Sequence, residues 1–252
     1  MRIAFYVAFL LAWTSCVGES RPDEEPREDI LVFAAASLTD ALEALADSFE
    51  TAYPRYRVVL NVAATSLLAR QIEQGAPADL FFAANLAWMQ RLEEQRRIAG
   101  TARQPLSNRL VVVGRSEQTP WSSLKPLTAQ PRIAVADPDH VPAGIYARQG
   151  LECMGLWEKV LPRVVPTLDV RAALLSVRNA AADVAVVYAS DVLADPNVRV
   201  LLLWPSACQP EIRYAVARLL GAPNPEGAER LLAFATDSAR TALWERFGFE
   251  AR

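Results

Sequence analysis

The chain has 252 residues, about half of them apolar, with 26 basic and 29 acidic side chains and a net charge of −3. That size and apolar fraction suit one large domain or two lobes of about 100 residues each. The charge is mild and no basic cluster occurs, which excludes nucleic acid as a natural partner.

Taken in order, the chain begins with Arg2, an almost wholly apolar run Ile3–Trp13, and Thr14-Ser15-Cys16. The apolar run is too short to span a bilayer and has the layout of an export signal, placed here at residues 1–18. Cys16 after small residues resembles the lipobox of bacterial lipoproteins, in which that Cys is acylated, although Trp13 stands where the pattern usually has Leu. Cleavage within Ser15–Ser20 to leave a soluble protein is the alternative. Glu19–Asp29 carries six acids, two arginines, two prolines and no large apolar residue. It cannot feed a core and reads as a disordered tether.

Ile30–Phe33 is an apolar strand that runs through three alanines into Ser37. From there apolar residues recur at 38, 41, 42, 45, 46 and 49, the spacing of an amphipathic helix. Ser37-Leu-Thr-Asp40 fits a helix-start signal with Ser37 as the N-cap. The pattern repeats. Arg57–Ala63 is a strand ending at Thr65-Ser66 before a helix over Leu67–Gln74, closed by Gly75. Leu80–Ala84 is a strand closed by Asn85 before a helix over Leu86–Arg97. In a parallel sheet three such strand-to-helix turns share one edge, where open α/β folds bind ligands and where helix amides attract anions.

Further on, Arg109–Gly114 and Arg132–Ala136 read as buried strands, and Trp121–Leu124 as a weak helical turn. Asp137–Gly144 is a turn-rich loop before a helix over Ile145–Met154. Val164–Pro166 leads to Thr167–Val170, and a helix follows over Arg171–Val177. Asp183–Tyr188 is a strand with Ser190-Asp191 as the next cap. Val198–Leu203 and Glu211–Ala217 are strands, and Asn224-Pro-Glu opens a helix. The last helices break near Asp237-Ser238 and stop at Gly248. Strands and helices alternate throughout, so the fold class is α/β. Cys153 and Cys208 are the two cysteines besides Cys16. Their sequence positions do not show proximity, and the balance is against a disulfide.

Several stretches together resemble the molybdate-binding proteins of bacterial ABC importers: FAAASLTDAL (Phe33–Leu42), Leu67–Met89 with GAPADLF at its centre, Ala136–Ala147, LDVRAAL (Leu168–Leu174) and VVYASD (Val186–Asp191). The likeness extends from Ile30 to the C-terminal WERFGF. It implies a two-lobed type II periplasmic binding-protein fold, with a mixed sheet flanked by helices in each lobe and two crossing strands as the hinge. Lobe one would take residues 30–107, lobe two 108–212, and residues 213–252 would return to lobe one, with crossings near Asn108–Val113 and Ile212–Ala217. Carried over by motif, the oxyanion ligands are Ser37, Thr65, Ala143, Val170 and Tyr188, with Ser66 as the substitute for Thr65. Asn85 stands where relatives often have Asp and is read as a cap with no bearing on the ligand.

None of these five is charged. A tetrahedral dianion can be held by hydroxyls, backbone amides and helix N-termini in a dry cleft. Ala143 and Val170 make sense only as backbone donors, and Gly144 would let the chain approach the ligand. The resemblance implies molybdate or tungstate as ligand, a membrane permease as partner, a monomer, no cofactor and no protein-ligated metal. Sulfate, phosphate or a small organic acid is the alternative ligand. An organic acid would call for an Arg fork, for which Arg70 and Arg171 are available, although both read as surface groups. A serine hydrolase using Ser37 and His140 is the remote alternative, and it lacks the Gly-x-Ser-x-Gly elbow.

Overall fold

The computed structural model describes residues 26–130, 132–193 and 195–252. The export signal, Cys16 and residues 19–25 of the expected tether lie outside the described residues.

The first half alternates strand and helix: β1 (Glu28–Ala35), α1 (Thr39–Ala52), β2 (Tyr56–Ala63), α2 (Thr65–Glu73), β3 (Leu80–Ala83), α3 (Leu86–Glu94) and β4 (Ile98–Asn108). The middle carries β5 (Leu110–Arg115), β6 (Ile133–Ala136), α4 (Pro142–Cys153), α5 (Trp157–Val160), β7 (Val164–Thr167), α6 (Val170–Arg178), β8 (Val184–Tyr188), α7 (Ala189–Val192) and β9 (Val198–Leu203). The chain closes with β10 (Ile212–Leu219), α8 (Pro225–Ala235), α9 (Thr241–Arg246) and β11 (Glu250–Ala251).

These strands form two mixed sheets. Sheet one has the order β11-β4-β10-β3-β1-β2, and sheet two the order β7-β6-β8-β5-β9. Strand β1 pairs in parallel with both β2 and β3, so the three strand-to-helix turns do share one edge. In sheet two, β6 likewise pairs in parallel with β7 and β8. The chain passes from sheet one to sheet two between Asn108 and Leu110, and returns over residues 204–211, ahead of the Ile212–Ala217 expected. The architecture is the two-lobed α/β fold of periplasmic binding proteins.

Several local expectations change. Glu28 and Asp29, assigned to the tether, belong to β1, where Arg55, in the turn just before β2, and Arg57, on β2, neutralise them at 2.7 Å each. Ser37 is not the N-cap of α1. A single 3-10 turn over Ala36–Leu38 precedes that helix, and Thr39 rather than Ser37 bonds back to the Ala36 carbonyl. Helix α4 starts at Pro142, inside the segment expected to be a loop, because proline at the first helical position costs no amide bond. The helix after β8 is capped by Tyr188, not Ser190, and the Asp191 carboxylate accepts the Tyr188 N–H. Strand β4 was not anticipated: IAGTARQPLSN has no alternation, and its pairing with β10 and β11 makes it a strand.

Cys153 and Cys208 are joined by a disulfide, with Cα atoms 5.6 Å apart. The proximity comes from Trp204, buried on α4 at a position where Gly150 leaves room. A Cβ on Gly150 would sit 2.6 Å from the indole nitrogen. Trp204 also donates to the Cys208 carbonyl. The bond therefore fastens the return crossing to α4.

Candidate functional site

The edge where β1, β2, β6 and β8 end faces a small cavity between the sheets. It holds about 220 Å³ of empty space, part of it open to solvent, and is walled by the small residues Ala35, Ala36, Ala64 and Ala84. Ser37, Thr65, Ala143, Val170 and Tyr188 all line it. Ser66 instead lines the wider mouth, together with Arg70, His140 and Leu168. The volume lies below the range of pockets for drug-sized ligands and suits a small ion.

Each of the five arrives by a local rule. Ser37 sits in the turn between β1 and α1. Thr65 is the first residue of α2, Ala143 the second of α4 and Val170 the first of α6, positions whose N–H groups have no partner within the helix. Tyr188 ends β8. Three helix N-termini thus converge on the cavity with their amides and positive dipole ends. Gly144 is required by a close approach, though not to the ligand as expected. A Cβ there would lie 2.0 Å from the Ala136 carbonyl, so glycine lets α4 pack on the end of β6.

The hydroxyls are wired to donate inward. The Thr65 oxygen accepts from the Ala84 N–H at 3.1 Å, which leaves its proton free. Ser37 Oγ lies 2.8 Å from the phenol of Tyr214, whose oxygen accepts from the Asn108 side-chain amide at 3.4 Å. Asn108 is oriented by the Arg109 N–H bonding its carbonyl oxygen. Either hydroxyl can donate in the Ser37–Tyr214 bond, and when Tyr214 donates, the Ser37 proton is available to the cavity. Burial pushes both Tyr214 and Tyr188 well above the ordinary phenol range, so both stay protonated donors. The Tyr188 hydroxyl is fully buried and has no hydrogen-bond partner among the described residues. It is a donor waiting for an acceptor.

Asp169 is the one charged side chain in the cavity lining, and its carboxylate is turned onto the Ala172 N–H as the N-cap of α6. His140 is exposed and does not line the cavity, and the hydrogen bond of Ser37 goes to Tyr214, so no Ser–His pair forms.

A family model described as bacterial extracellular solute-binding protein matches residues 30–250. The chain is a member of that family. This solute-binding protein is 37% identical to the molybdate-binding protein ModA of Escherichia coli K12, over 87% of its own length and 88% of the relative's. It is similar in fold to the periplasmic molybdate-binding protein of Azotobacter vinelandii, with a TM-score of 0.80 at 21% identity over 88% of this chain and 98% of that one. It is also similar in fold to the sulfate-binding protein SubI of Mycobacterium tuberculosis, with a TM-score of 0.77 at 15% identity over 88% and 86% of the two chains.

Sequence reasoning missed the second tier of this solute-binding protein's site. Tyr214 and Asn108 hold Ser37, and Asp191 holds the Tyr188 backbone. Arg171, read as a surface group, is three-quarters buried between the two halves, where it pairs with Asp40 and Asp191. Asn85 does cap α3 as expected, and its amide also donates to Tyr146 of the other half at 3.1 Å. A cue to Tyr214 was present, since in the alternating run Glu211–Ala217 it falls on the same face as Ile212.

Proposed function

We propose that this protein captures molybdate, and tungstate as well, in the cavity between its two sheets and delivers the ion to the permease of an ABC importer. The observation that carries the reading is the buried Tyr188 hydroxyl, unpartnered among the described residues and lining a cavity with no cationic side chain. Ser37, Thr65 and Tyr188 donate through hydroxyls, and Ala143 and Val170 through backbone amides. In a water-poor cavity such dipoles hold a dianion without a counter-charge. Each oxygen of a tetrahedral ion would meet a fixed donor, and the spacing of the donors sets the radius accepted. The 37% identity to ModA of E. coli supports molybdate as the ligand.

Sulfate has the same shape and charge and is smaller, and a sulfate-binding protein shares the fold. The second reading is therefore a sulfate site. Titration calorimetry of the ligand-stripped mature protein with molybdate, tungstate, sulfate and phosphate decides between them. One-to-one binding of the first two with the others weak supports the proposal, and preferential sulfate binding overturns it while keeping the fold.

The protein acts as a monomeric carrier and not as an enzyme, and it is exported, with Cys16 as the lipid attachment point. His140→Ala leaves binding intact under this reading. Metabolic labelling with a radiolabelled fatty acid, lost in Cys16→Ser, tests the anchor.

A further inference from the structure

Resting on the oxyanion reading above, we propose that Arg171 is a positioning residue for capture, a clasp that holds the two halves shut around the ion without touching it. Arg171 follows Val170 on α6, and its guanidinium reaches away from the cavity. Its Nη2 lies 2.6 Å from the Asp40 carboxylate on α1, in the sheet-one half, and 3.4 Å from the Ser37 carbonyl, to which it donates. Its Nε lies 2.9 Å from Asp191, which is fully buried in the sheet-two half. Among the described residues, Arg171–Asp40 is the only ion pair that joins the two halves away from the crossing strands.

The connection has a specific geometry. Asp191 accepts the N–H of Tyr188, and Arg171 donates to the carbonyl of Ser37. One planar cation thereby ties the backbone of a hydroxyl donor in one half to that of a hydroxyl donor in the other. A guanidinium suits this task because it hydrogen-bonds Asp40 and the Ser37 carbonyl while its charge pairs with Asp191, whereas an ammonium is a single point charge. Opening the cleft would strip Arg171 from Asp40 and Ser37 and leave Arg171–Asp191 intact within its own half. The clasp therefore acts on the closed form alone. Its signature is a change in ligand dissociation with association preserved, since an ion entering the open cleft meets the same donors.

The test is stopped-flow kinetics of molybdate on the wild type, Asp40→Asn, Asp40→Glu and Arg171→Lys, with melting curves of the stripped and loaded forms. The Asp40 side chain is 41% accessible on the first turn of α1 and is not part of the apolar core, so its substitution leaves that core untouched. The clasp requires that Asp40→Asn and Arg171→Lys each release molybdate about tenfold faster or more, that association stay within twofold, and that Asp40→Glu recover most of the lost residence time. The stripped form of Asp40→Asn should melt with the stripped wild type. Unchanged release in Asp40→Asn overturns the clasp, as does an equal drop in melting temperature of stripped and loaded forms, which would mark a purely structural pair. Failure of the wild type itself to bind any of the four oxyanions would instead remove the functional reading.

Discussion

Tyr214 and Ser37 share a hydrogen bond across 2.8 Å, and the two residues are 177 positions apart in the chain. Ser37 comes from the first strand-to-helix turn and Tyr214 from β10, the strand that returns to sheet one after the second sheet is complete. The donor in the cavity is thus set by a residue that joins the sheet only late in the sequence.

Removing that phenol should weaken binding without removing a ligand contact. Tyr214→Phe deletes the hydrogen bond to Ser37 and frees Ser37 to rotate. A loss of roughly 1 kcal/mol in oxyanion affinity is expected, about fivefold, from a single net hydrogen bond. Calorimetric titration checks it, and unchanged affinity would show that Ser37 is oriented by other means.

Direct donors should matter more. Ser37→Ala, Thr65→Ala and Tyr188→Phe each delete a hydrogen bond to a charged oxygen, for which about 1–3 kcal/mol is expected. Thermal melts of the stripped variants should separate them. Tyr188→Phe removes a buried hydroxyl that has no partner among the described residues, so it should stabilise the empty protein or leave it unchanged while weakening binding.

Asp191 should leave a mark on stability against pH. Burial pushes its carboxyl up to about 6, although Arg171 and the Tyr188 N–H pull the other way. A folded pKa above the unfolded 3.8 means that folding takes up a proton between those values. The associated stability is fully present below about pH 4 and is lost as pH rises through 6. Relative to Asp191→Asn, the wild type should lose on the order of 1–3 kcal/mol from pH 4 to pH 7. Denaturant titrations across that range check it, and parallel curves would refute it.

The disulfide should be worth a measurable share of stability. Cys153 and Cys208 are 55 residues apart, and closing a loop of that length is worth up to about 4 kcal/mol on the chain-entropy account. Cys153→Ser/Cys208→Ser should lower the denaturation midpoint and be insensitive to reductant, whereas the wild type should fall to the same midpoint when reduced.

Much of this was legible from residue spacing. The strand-to-helix turns at Ser37, Thr65 and Asn85 were visible because apolar runs of two periods meet there, and those periods are set within a few residues. Motif likeness pointed to Ala143 and Val170, which line the cavity although their side chains carry no chemistry of their own. What stayed hidden depends on contacts between distant segments. Strand β4 exists because β10 and β11 flank it, and nothing in IAGTARQPLSN states that. Arg171 looked like any helix arginine because its two acids lie 131 residues before it and 20 after. Cys153 and Cys208 meet through Trp204 and Gly150, a fit of shapes that no local pattern encodes.

That cystine also orders the life history of the molecule. Bonds of this kind form and endure in oxidising compartments and are rare where glutathione and thioredoxin keep thiols reduced. A newly made chain in the cytosol would carry Cys153 and Cys208 as free thiols, with the packing of Trp204 against Gly150 holding the crossing back to sheet one against α4. The covalent link between the return crossing and α4 is thus completed on the far side of the membrane, in the same place where the cleft meets its ion.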